Sequence, residues 1–138
     1  MTKEIRITVE GTQTGEKEAV TVQANGVYHL RDGKHYIRYE ETTEDGKEPI
    51  HNTIKLAPGQ MVLKKEGRNA STLMVFDLKE LTHSEFHTPY GNLSFQIKTS
   101  EILINEGEDE LLVLVRYKLS DPGGALSENE VKIWISSV

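Results

Sequence analysis

Apolar and polar residues alternate along most of the chain, from Ile5, Ile7 and Val9 near one end to Val131, Ile133 and Ile135 near the other. Successive side chains of a strand point to opposite faces, so a two-residue period commits each stretch to one buried and one solvated face. Turn-forming pairs interrupt the alternation at Asn25-Gly26, Asp32-Gly33, Asp45-Gly46, Pro58-Gly59, Glu66-Gly67, Tyr90-Gly91 and Gly123-Gly124. The pattern predicts an all-β fold, an antiparallel up-and-down meander of hairpins around one core. Strands are expected at 2–10, 18–31, 33–43, 48–57, 60–66, 69–77, 80–88, 92–105, 110–120 and 129–137. No stretch has the period of a long amphipathic helix.

Two of the turns assign faces, because a two-residue turn decides which residues sit opposite one another. An Asp32-Gly33 turn sets Leu30 against His35, Tyr28 against Ile37 and Gly26 against Tyr39. An Asp45-Gly46 turn sets Ile37 against Ile54, Tyr39 against Asn52 and His35 against Leu56. Together they place Tyr28, Leu30, Ile37, Tyr39, Ile50, Ile54 and Leu56 inside, and His29, Tyr36, Arg38, Glu40, His51, Thr53 and Lys55 outside. A Glu66-Gly67 turn would pair Leu63 with Ala70 and Met61 with Thr72. Beyond it, Thr88-Pro89-Tyr90-Gly91 has the composition of a type I turn and pairs Phe86 with Leu93, Ser84 with Phe95 and Thr82 with Ile97. His83, Glu85 and His87 then face outward, which requires a bulge or an odd-length loop between Asp77 and Glu80.

Composition bounds the function. The 138 residues suit one domain, 1–138, long enough to bury a core without staples. The absence of cysteine excludes disulfides, zinc-thiolate sites and cysteine nucleophiles. With no apolar stretch long enough for a leader or a membrane span, a cytoplasmic protein is expected. A net charge of −6 is the wrong sign for gripping a phosphate backbone over a broad surface, so nucleic acid is not an expected partner. No Gly-x-Ser-x-Gly, phosphate loop, dinucleotide fingerprint or His-Glu-x-x-His pattern occurs, so no enzyme class, metal or cofactor is assigned.

The segment Gly67-Arg68, Ser71-Thr72-Leu73-Met74-Val75-Phe76 and then His87-Thr88-Pro89-Tyr90-Gly91 resembles the YwiB-like family of small bacterial proteins, and the likeness extends over nearly the whole length. What the resemblance implies is a calycin-like, lipocalin-type β-barrel of 8–10 strands without an established biochemical role. It brings no catalytic or binding residues with it. Closing the meander into a barrel removes the edges an open sheet would expose.

Inside such a barrel the polar candidates are Tyr28, His35, Tyr39, Asn52 and Arg116. Inward tyrosines need partners for their hydroxyls, and Asn52 stands opposite Tyr39. His35 is placed at the barrel mouth beside Leu30 and Leu56. Arg116, between Val115 and Tyr117, would face inward only with a carboxylate or an anionic ligand beside it. These five residues are the expected lining for a small, partly apolar molecule bound without chemistry. His83 and His87 lie about 13 Å apart on one strand, too far to share a metal. The acidic run Glu106-Gly107-Glu108-Asp109-Glu110 lacks the spaced oxygen ligands of a calcium loop and reads as a solvated turn. The alternative function is assembly: Leu111 to Val115 is apolar on both faces, so its outer side is expected to be covered by a loop, a terminus or another molecule, either a second copy in a homodimer or a different cytosolic protein.

Overall fold

A computed structural model describes residues 2–16, 18–42 and 48–138. Ten strands follow one another: β1 (Thr2–Gln13), β2 (Val20–Arg31), β3 (Lys34–Glu41), β4 (Ile50–Ala57), β5 (Gln60–Glu66), β6 (Ser71–Asp77), β7 (Thr82–Thr88), β8 (Gly91–Glu106), β9 (Glu110–Ser120) and β10 (Leu126–Ser137). Each pairs antiparallel with its sequence neighbours, and β1 pairs with β10, closing the meander into a barrel. Among the described residues no helix is long and apolar enough to cross a membrane.

The register follows local turn chemistry where the turns are tight. Asp32 and Gly33 both have positive φ, 52° and 75°, as a type I′ turn requires. They set Leu30 opposite His35, Tyr28 opposite Ile37 and Gly26 opposite Tyr39. The Asp45-Gly46 turn lies outside the described residues, but the β3–β4 ladder has the register expected of it, Ile37 against Ile54 and Tyr39 against Asn52. Phe86 pairs with Leu93 and Thr82 with Ile97. The β6–β7 ladder pairs residues of equal parity, Thr72 with Phe86 and Met74 with Ser84, so the connection between them has the odd length that the faces require. His83, Glu85 and His87 are accordingly exposed, and His87 Nε2 lies 3.5 Å from Glu85 Oε2.

Two turn expectations are corrected. Asn25-Gly26 is no turn but lies inside β2, where a Cβ on Gly26 would sit 2.5 Å from the Arg38 carbonyl oxygen. The glycine permits a close approach of two strands. Glu66-Gly67 is likewise not a two-residue turn. Gly67 N–H donates to the Ala70 carbonyl at 2.8 Å, the loop widens to four residues, and Met61 meets Phe76 and Leu63 meets Met74. The shift is even, so the faces survive it.

A bulge between Thr99 and Glu101 reverses parity in β8. Ile97 and Thr99 are buried before it, and Ile102 and Ile104 pack against the core after it. Ser100 Oγ donates to the Arg116 carbonyl at 3.1 Å. The barrel interior is filled by side chains: Ile5, Ile7, Ile37, Ile54, Leu56, Met61, Phe76, Ile97, Val115 and Ile133 are each at most 1% exposed. Phe76 meets Tyr117 edge to face, with ring centroids 4.8 Å apart.

Candidate binding site at the barrel mouth

With the middle of the barrel packed, a molecule bound inside it has room only at an end. At the end carrying the β2–β3 and β8–β9 turns, a hollow of about 260 Å³ opens over the core. Its floor is Ile5, Leu111 and Ile135, the first or last buried apolar residues of β1, β9 and β10. Leu30, 43% exposed, and Tyr28 form one wall. The Ser137 N–H donates to the Asp109 carbonyl at 3.0 Å, tying the end of β10 to the β8–β9 turn that forms the rim.

A polar chain that runs from buried His35 out to the rim borders this hollow. His35 is 4% exposed, and its Nδ1 lies 2.6 Å from the Tyr28 hydroxyl while its Nε2 lies 2.9 Å from Glu106 Oε1. With its proton on Nε2, the imidazole donates to the carboxylate and accepts from the phenol, so one neutral tautomer satisfies all three groups. Burial, and then the Glu106 charge, raises the Tyr28 pKa above its ordinary range. The Lys3 ammonium stands 5.6 Å from the centre of the Tyr28 ring. Glu106 itself is 62% exposed and keeps acceptor capacity for another donor. Glu108, Asp109 and Glu110 extend the rim. Four carboxylates against one lysine make the mouth electronegative.

The structure brings together Tyr28 and His35 from the expected set and separates the others. Tyr39 and Asn52 are buried at 6% and 4%, but Tyr39 is four residues along β3 from His35, about 13 Å toward the opposite end. They are cross-strand neighbours, yet the Asn52 side-chain amide donates to the Ile50 carbonyl at 3.3 Å. Arg116 is a correction. Its neighbours Val115 and Tyr117 both face inward, which turns Arg116 outward. There it donates to Glu101 Oε2 at 3.1 Å and to Glu130 Oε2 at 3.0 Å, and these carboxylates, Glu130 first, hold its guanidinium protonated. The expectation of Glu106 as part of a merely solvated turn is corrected too, since it closes the polar chain. Its partner lies 71 residues away, and the β8 bulge sets its direction, so strand alternation alone could not place it.

The profile of a domain of unknown function, DUF1934, matches residues 5–133. The crystal structure of the ywiB protein from Bacillus subtilis superposes with a TM-score of 0.82 at 17% sequence identity, covering 99% of this chain and 93% of that one. At that identity the likeness speaks for the fold, a ten-strand closed barrel. No curated protein matches the chain.

Proposed function

The chain belongs to the DUF1934 family, and from that footing we propose that it is a single-domain cytoplasmic protein that binds a small amphipathic amine at the barrel mouth, without chemistry. The observation that carries the reading is the juxtaposition of an apolar floor with the Tyr28–His35–Glu106 chain under a rim of carboxylates. The floor of Ile5, Leu111 and Ile135 suits an apolar body of limited size. The exposed Glu106 carboxylate, anchored from below by His35, suits an ammonium group, whereas an anionic head would meet repulsion. Small sites combine such apolar walls with a few oriented polar groups.

Calorimetric titration with phenethylamine and with its carboxylate counterpart, phenylpropionate, tests the reading. Saturable binding of the amine, with none of the acid, is expected. Glu106→Gln should weaken the amine by tenfold or more, as loss of one charged hydrogen bond implies. Equal binding of both probes, or amine binding indifferent to Glu106→Gln, would reject the proposal.

A second reading has its own observation. On the outer face of β8, β9 and β10, Leu103 and Trp134 are 51% and 40% exposed beside half-buried Leu112 and Leu114. This patch suits self-association.

A further inference from the structure

The outer face of the β2–β3 hairpin holds a hollow of about 550 Å³, larger than the mouth and on the other side of the sheet from it. Cross-strand pairs build it in three levels: Val27 with Arg38, His29 with Tyr36, and Arg31 with Lys34. Successive outward residues on a strand are about 7 Å apart, so the His29 and Tyr36 rings lie between a cationic level above and one below. The two rings have centroids 6.4 Å apart and are tilted by 49°. From β4, opposite Tyr36, Lys55 places its ammonium 5.9 Å from the centre of the Tyr36 ring.

The charge here opposes that of the whole chain. Arg31, Lys34 and Arg38 line the hollow against one carboxylate, Asp32, on a protein whose net charge is −6. Asp32 is 3.8 Å from Arg31 with both side chains at least 75% exposed, a geometry that neutralises little. Glu40, the next outward residue on β3, is directed to His51 at 3.1 Å. A guanidinium presents a planar fork suited to phosphate, and an aromatic side chain beside it offers a platform for a base. A bare anion would need only the cations.

We propose that this face binds a nucleotide unit, its phosphate on Arg38 or on the Arg31–Lys34 pair and its base against Tyr36 and His29. The ligand is either a free nucleotide or a short single-stranded segment. The acidic remainder of the surface limits any contact to this patch, because a long phosphate backbone would run onto repulsive ground.

Titrating the full chain with adenosine monophosphate, inorganic phosphate and a hexathymidylate, read by amide chemical shifts, tests the assignment. Expected is saturable movement of the 27–38 resonances with the two nucleotide probes, and much weaker movement with phosphate alone. Tyr36→Leu should weaken binding roughly tenfold, and so should one of Arg38→Ala and the Arg31→Ala/Lys34→Ala pair, whichever cation holds the phosphate. Lys98→Ala, which removes an exposed cation from β8, should leave it unchanged. The test residues point outward, and an unchanged thermal midpoint would confirm that the variants fold. A hexathymidylate tighter than the mononucleotide and more salt-sensitive would identify a strand as the ligand, and equal affinities a free nucleotide. No movement with any probe, movement outside the β2–β3 face, or phosphate binding equal to nucleotide binding and indifferent to Tyr36→Leu would overturn the proposal.

Discussion

Tyr39 shows how one buried side chain links folding to pH. It is 6% exposed, and burial, with the nearby Glu41 charge second, raises its pKa well above the ordinary 10.0. The folded state therefore prefers the neutral phenol more strongly than the unfolded state does. The associated stability is complete below pH 10 and is lost as the pH climbs from there through the folded-state value. Tyr39→Phe deletes this linkage. In urea denaturation between about pH 9 and pH 11 the variant should lose stability less steeply than the parent, the remaining slope coming from other buried phenols such as Tyr117. Parallel slopes would show that the Tyr39 phenol ionises equally well in both states. Arg116 carries the complementary lesson: in a strand apolar on both sides, the direction of a charged residue follows from counting its neighbours, and Tyr117 can take the inward place.

At the scale of strands and turns, the face assignment has a direct energetic consequence. Ile54 is 1% exposed and faces Ile37 in the core, whereas Thr53 points outward beside Arg38. Ile54→Ala should cost about 2–5 kcal/mol through lost burial and the cavity left behind, and Thr53→Ala much less. Similar denaturation midpoints for the two variants would contradict the register. That register was legible in the sequence because a type I′ turn dictates pairing through its own backbone, independently of the rest of the fold. Legibility ended where an element departs from ideal geometry. The four-residue Gly67–Ala70 loop displaced the β5–β6 pairing, and the bulge beyond Thr99 changed which residues of β8 face the core. The candidate site divides along the same line. Tyr28 and His35 flank one tight turn and could be brought together on paper, while Glu106 reaches them only through barrel closure and the bulge. The cationic pairs of the β2–β3 face were equally within reach of the register, but the net charge of the whole chain masked a local surplus of the opposite sign.

Closure of the barrel also decides how whole molecules can meet. Among the described residues every strand is paired on both sides over at least part of its length, so little edge is left for extending the ladder and a face is the larger surface on offer. The outer face of β8, β9 and β10 is the apolar one: Leu103 lies beside Leu114, and Leu112 lies between Asn105 and Trp134. Their exposed area sits around a shallow depression of about 180 Å³ that a projecting side chain from another molecule can fill. A two-fold arrangement would place Trp134 of each copy against the leucines of the other, the self-complementary contact that symmetric dimers use. Replacing Leu112 and Leu114 together with Glu would set like charges against each other across that contact while leaving the inward Leu111, Val113 and Val115 in place. Sedimentation velocity at roughly ten micromolar should then show a dimer for the parent chain and a folded monomer for the double variant. A parent chain that sediments as a monomer at this concentration would remove self-association from this face, and a double variant that remains dimeric would move the contact elsewhere on the barrel.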